Sequence, residues 1–238
     1  MPRVGFGSLD FDMRRGSRIN FISAPAVAAP PVGVKTLISS SNTKNSIYIH
    51  SGITSTITTS FSSPALAPFG LAYDGANLIS CDDIALKIYI HSGITSTITT
   101  SFGSPAQGPN GLAYDGANLI SCDTVSNSIY IHSGITSTIT TSFSSPATGL
   151  AYDGANLIRC YSGAFNSIYI HSGITSTVTT SFSSPATYPD GLAYNGANLI
   201  SCDGIKNSIY IHSGITSTIT TSFSSPGGEP QGLEVYTA

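Results

Sequence analysis

The chain has 238 residues, of which only 9% are charged, and a formal net charge of −3. An average globular domain carries roughly 25% charged residues, so Ser, Thr, Gly and Asn supply the polarity here. The balance excludes the clustered basic face that nucleic acid requires, and no apolar run approaches the ~18 residues of a membrane-spanning helix.

Residues 1–33 differ in composition from everything that follows. They hold four of the nine cations, Arg3, Arg14, Arg15 and Arg18, opposed only by Asp10 and Asp12, so this segment is +2 and the remainder −5. Met1 to Ser17 lacks the apolar stretch of a secretory leader, and prolines interrupt Phe21 to Val34. The reading is a basic N-terminal arm, extended or docked on a protein partner or an assembly, with a merely solvated terminus as the alternative. With neither a leader nor an Asn-X-Ser/Thr sequon, the expected setting is a virus particle or the cytoplasm.

From residue 34 the chain repeats. Ile-Tyr-Ile-His-Ser-Gly begins at Ile47, Ile88, Ile129, Ile168 and Ile209, with steps of 41, 41, 39 and 41 residues. A period near 40 with strand-like composition marks a propeller or solenoid. Within one copy, Gly111 to Asp115 reads as a short apolar strand ending in Asp115-Gly116, a strong hairpin signal. Leu119 to Cys122 is a second strand, and Asp123 to Asn127 a polar loop. Ser128 to His132 alternates as a third strand, Ser133-Gly134 turns, and Thr136 to Phe143 is a fourth. Pro146 ends it, since proline cannot donate to a ladder. Four short antiparallel strands make one blade, and five copies predict an all-β, five-bladed β-propeller over 34–238.

The seam is also legible. The first copy begins at its second strand, Val34 to Ile38, and its missing first strand returns as Gly232 to Tyr236. The C-terminal strand is therefore expected to complete the first blade and close the ring.

The sequence Gly-Leu-Ala-Tyr-Asp-Gly-x-Asn-Leu-Ile followed by Asn-Ser-Ile-Tyr-Ile-His resembles the blade of NHL and YVTN propellers, with Pro68, Pro109, Pro189 and Pro230 at the lead-in position. The resemblance covers residues 34–238 and departs from WD repeats, for the chain has no Trp. It implies a shape rather than a task.

Cys81, Cys122, Cys160 and Cys202 recur at one position per copy, where the first copy has Ser40. Equivalent points in neighbouring blades lie about a sheet spacing apart, ~10 Å, beyond the ~7 Å reach of a disulfide. They are expected to be buried free thiols. The five histidines sit too far from the axis to converge on one ion. They are expected to bond near the Ser-Gly turn or to pack between blades, and no metal or cofactor site is read from them.

Strand alternation puts the Asp-Gly and Ser-Gly hairpins on one face and the remaining loops on the other. The hairpin face is nearly invariant among copies, whereas the loop face varies. Binding residues commonly sit on variable loops over a rigid scaffold, so the candidate ligand or partner site is the loop face: Phe69, Asn110, Tyr161, Phe165, Tyr188, Asp190 and Gln231. Glycoside-cleaving propellers set two or three carboxylates about the axis. Here the axial positions offer only Asp190, with Glu229 two residues short of Gln231, and no catalytic residues are assigned. The expectation is a non-enzymatic recognition or structural module, such as a capsid-decoration or tail-associated component. A sugar-binding lectin with up to five equivalent sites is the alternative, and a glycan-cleaving enzyme a distant third.

Overall fold

A computed structural model describes residues 33–163 and 166–237. Within them the chain forms five four-stranded antiparallel sheets and no helix. Blade 1 contains β1 (Lys35–Ser41), β2 (Ser46–His50) and β3 (Ile57–Ser62). Blade 2 contains β4 (Pro68–Tyr73), β5 (Leu78–Asp82), β6 (Lys87–His91) and β7 (Ile98–Gly103). Blade 3 is β8 (Pro109–Tyr114), β9 (Leu119–Asp123), β10 (Ser128–His132) and β11 (Ile139–Ser144). Blade 4 is β12 (Gly149–Tyr152), β13 (Leu157–Tyr161), β14 (Ser167–His171) and β15 (Val178–Ser183). Blade 5 is β16 (Pro189–Tyr194), β17 (Leu199–Asp203), β18 (Ser208–His212) and β19 (Ile219–Ser224). The last strand, β20 (Pro230–Thr237), pairs antiparallel with β1 and completes blade 1, as the sequence predicts.

The core lies between blades. Leu112 and Leu119 of blade 3 pack on Ile79, Cys81 and Ile88 of blade 2, and the same arrangement recurs around the ring. At the axis the innermost strands approach backbone to backbone. A Cβ on Gly111 would lie 2.8 Å from the Leu150 amide nitrogen, so a glycine is required there.

The cysteines do more than fill space. The Gly70 amide donates to Cys81 Sγ at 3.2 Å, and the thiol donates onward to the Asn110 carbonyl of the next blade at 3.1 Å. Cys122 and Cys202 likewise donate across the seam, to Ala147 and Pro230 at 3.4 and 3.3 Å. In blade 1, Ser40 does the same work: the Gly232 amide donates to its hydroxyl, which donates to the Phe69 carbonyl, both at 2.8 Å. Exchange of Cys81 for Ser should therefore cost under about 1 kcal/mol, whereas Cys81→Ala loses both bonds and should cost about 2 kcal/mol. Urea melts of the two variants check this, and equal losses would contradict the bridging role. Burial pushes the Cys81 thiol up to about 12 and raises the other three.

Each histidine bolts one blade to the previous one. The Nδ1 atoms of His50, His91, His132, His171 and His212 lie 2.6 Å from the carbonyl oxygens of Thr54, Thr95, Thr136, Thr175 and Thr216. A carbonyl only accepts, so Nδ1 carries the proton and Nε2 is an acceptor. It takes a hydroxyl proton from Ser39, Ser80, Ser121 or Ser201 in four blades, and the guanidinium Nε–H of Arg159 in blade 4. The far side of each ring meets a phenylalanine of the preceding blade at 5.8–6.0 Å.

Two local readings of the sequence need correction. The fourth strand starts at Ile139, not Thr136. The stretch before it is consumed by the histidine loop, where Thr136 Oγ1 donates to the Ser133 carbonyl and accepts from the Thr138 amide. Asp123 belongs to a strand rather than to a polar loop: it is 1% exposed, and its carboxylate accepts from the amides of Gly108 and Ser126. Asp82 and Asp203 hold their loops in the same way. Such buried carboxylates are stable because every oxygen is bonded.

Candidate functional site

The loops that vary among copies converge at one end of the axis. The five residues that precede the axial segment of each blade, Phe69, Asn110, Thr148, Asp190 and Gln231, line one cavity of about 440 Å³. Thr124, Ser162, Tyr188, Gly204, Ile205 and Glu229 complete its wall. Five of the seven candidate residues from the sequence, Phe69, Asn110, Tyr188, Asp190 and Gln231, thus meet in one place.

One does not join them. Tyr161 folds its ring over Gly163 of its own loop, and Ser162 takes the place in the wall. It occupies the position at which Asp82, Asp123 and Asp203 pin their loops, so blade 4 lacks that carboxylate. Phe165 lies outside the described residues, as do Arg3, Arg14, Arg15 and Arg18 of the arm.

The cavity is acidic and poor in charge compensation. Burial, with smaller contributions from Asp203 and Glu229, pushes the Asp190 carboxyl up to about 7 against the opposing Gly204 amide, 3.1 Å away. Position 204 is a glycine for a reason: a Cβ there would collide with the Asp190 carboxylate. Asn110 is 9% exposed, and its Oδ1 has no partner among the described residues. A buried acceptor left open is costly, and this oxygen is shut off from the open space of the cavity. Thr148, by contrast, spends its hydroxyl on the Pro189 carbonyl at 2.6 Å. Glu229, which the sequence set aside, reaches the rim, where its carboxylate accepts from Thr43 Oγ1 at 2.7 Å.

The sequence reading missed the exposed aliphatic side chains of the loops on this face. Leu66, Ile84, Val125 and Ile205 stand in loops of blades 1 to 3 and 5 with 59–66% of their surface exposed, and Ile205 also lines the cavity. Tyr188 adds an exposed ring, and its backbone is held by the amide N–H donating to the Asp203 carboxylate. The sequence signal was present, for each of these loops carries at least one large aliphatic residue. Its direction became apparent only once the buried aspartates fixed the loops.

No family model matches the chain, and no curated protein matches it in sequence. Among solved structures, it is similar to Myxococcus xanthus glutaminyl cyclase, with a TM-score of 0.59 and 14% identity over 66% of this chain and 70% of that one. It is also similar to a chain in the nidogen/laminin complex, with a TM-score of 0.58 and 15% identity over 84% of this chain and 98% of that one. At these identities the likeness concerns the fold alone: the protein is a five-bladed β-propeller.

Proposed function

We propose that this propeller is a non-enzymatic recognition module that docks a protein partner on its loop face. The basic arm ties it to a larger assembly, for which a virus particle is a suitable setting. The blade pattern's resemblance to NHL and YVTN propellers belongs to the same reading. The observation that carries the proposal is the convergence of the differing positions, Phe69, Asn110, Asp190 and Gln231, on one cavity, on a face whose loops also carry exposed aliphatic side chains. Apolar side chains on the same face as a polar cavity suit a protein interface, in which aliphatic contact supplies area and a few buried polar groups fix orientation. A donor-bearing group of the partner would meet the Asp190 carboxyl.

A lectin with five equivalent sites finds less support. The repeated histidines are 0–1% exposed with both nitrogens bonded, and the cavity has five different walls. An enzymatic reading rests on the pair Asp190 and Glu229, of which the second is tied to Thr43. Peptides selected from a displayed library on the intact protein should lose binding to an Ile84→Ser/Val125→Ser/Ile205→Ser variant and to Asp190→Ala. Binders indifferent to both variants, or turnover of chromogenic glycosides that disappears in Asp190→Asn, would overturn the proposal.

A further inference from the structure

The other end of the axis carries a second cavity with a different chemistry. Each innermost strand runs from the loop face to the hairpin face, so the two ends stand roughly 17 Å apart. At the hairpin end, Tyr73, Tyr114, Tyr152 and Tyr194, one from each of four blades, line an outer bowl of about 620 Å³. Tyr236 joins them, its ring 5.7 Å from that of Tyr73. The same four tyrosines also wall a small inner chamber of about 50 Å³, and at its wall lies Glu234.

Glu234 is the anomaly. Four copies place alanine there, Ala72, Ala113, Ala151 and Ala193, and only β20 places a carboxyl at this position. Protein surrounds it, although its surface touches the void of the channel. Burial pushes it up to about 8, against the amides of Val235 and Tyr73, with no cationic side chain acting on it among the described residues. A fold that needed only packing would keep alanine, as the other four blades do.

The rim adds to the negative field. Asp74, Asp115 and Asp153 line the bowl, where Lys35 is the one cation in the wall. Their carboxylates cannot swing inward to ligate a metal. Asp74 Oδ1 accepts from the amides of Ala76 and Asn77, and Oδ2 from the Asn77 side chain, and the other two repeat this pattern. No group of three or more His, Cys, Asp or Glu side chains suited to a metal occurs among the described residues. What remains is negative potential from the rim over four tyrosines, of which Tyr114, Tyr152 and Tyr194 also pack against the core of the preceding blade, with one carboxyl at the floor.

We infer that the hairpin-face cavity binds a methylated ammonium group, the tyrosine ring taking its methyl surface and Glu234 its charge. A desolvated organic cation gains from aromatic faces what a strongly hydrated metal ion does not, and enclosure by several aromatic rings is a recurrent solution for quaternary ammonium groups. The source could be a free small cation or the trimethylated lysine of a protein, and these differ in what must pass the bowl.

Calorimetry at pH 9, where the Glu234 carboxyl is ionised, on the full chain with choline, tetramethylammonium and a trimethyl-lysine peptide tests the inference. Dimethylbutanol, the uncharged tert-butyl counterpart of choline, serves as control. Binding of choline or of the peptide is expected, at one site per chain and at least about tenfold tighter than dimethylbutanol, a difference of about 1.4 kcal/mol. Choline and peptide binding alike would indicate a small-molecule source, and peptide binding alone a protein source. Glu234→Ala restores the residue of four working blades and should fold, yet lose at least tenfold in affinity, as should Tyr114→Leu, while Tyr114→Phe should retain binding. Failure of all three cations to bind, equal binding of dimethylbutanol, or unchanged affinity in Glu234→Ala would each overturn the inference. Loop-face variants should leave this binding intact, so the two sites stand or fall separately.

Discussion

A chain lacking residues 232–238 is expected to be unfolded or aggregated at room temperature. These residues form most of β20, the innermost strand of blade 1, paired with β1 from Lys35↔Thr237 to Ser39↔Leu233. Leu233 is 1% exposed and packs with Leu37, Ile200 and Ile209, so it joins blade 1 to blade 5. Tyr236 packs on Ile38, Ile47 and Leu71, joining blade 1 to blade 2. Truncation therefore opens both seams of blade 1 and bares the inner edge of β1. Four or more ladder bonds at about 1 kcal/mol each, a buried leucine at about 2–3 kcal/mol and the loss of Tyr236 together rival the ~5–15 kcal/mol that holds a domain folded. Thermal melting followed by circular dichroism, with size-exclusion chromatography, measures the outcome. A truncated protein that melts within about 5 °C of the intact one would refute ring closure by β20.

Acid should destabilise the ring well before its ordinary carboxylates titrate. Burial lowers all five histidines from the ordinary value of 6.5, partly offset by the carbonyl each ring faces. At His171, the Arg159 guanidinium lowers it as well. The unfolded chain then takes up protons that the folded chain refuses. Stability from these groups is complete above about pH 6.5 and is lost as the pH falls below it. Asp190 and Glu234 act in the opposite sense. Pushed up to about 7 and about 8, they stay protonated in the folded state where the unfolded chain is ionised, so their contribution is present in acid and lost as the pH rises through those values. Five histidines against two carboxyls leave at most three net protons, a limiting slope of about 4 kcal/mol per pH unit. The melting temperature should drop by on the order of 10 °C between pH 7 and pH 5. Glu234→Ala removes one opposing group and should steepen the fall. A melting temperature flat over that range would show that the imidazoles accept protons in place.

The histidines illustrate how a repeated residue misleads and informs at once. Five copies at one position invite a metal site, yet each ring is used up by a threonine carbonyl, a serine or arginine donor and a phenylalanine of the neighbouring blade. The sequence excluded convergence on one ion and anticipated the bond near the Ser-Gly turn, because both follow from position within a strand and from blade spacing. It did not contain the phenylalanine partner, which comes from the preceding copy and meets the histidine only across a seam.

What the sequence determined by itself was most of what repeats: five blades, four strands in each, the hairpin dipeptides, the thiols as buried and free, and the return of the last strand to the first blade. These follow from local periodicity and turn chemistry, which act over a few residues. It also identified the loop face as the place where copies differ. Tertiary structure alone decided which differing residues meet. Asp190 and Asn110 are 80 positions apart in sequence, Tyr161 turns aside from the site, and a lone glutamate at position 234 comes to lie among tyrosines from four other blades. The physical reason is the closure of the ring. Only when five strand edges meet at one axis do residues from every copy share a cavity, and both the burial that raises Asp190 and Glu234 and the orphaned oxygen of Asn110 exist only in that arrangement.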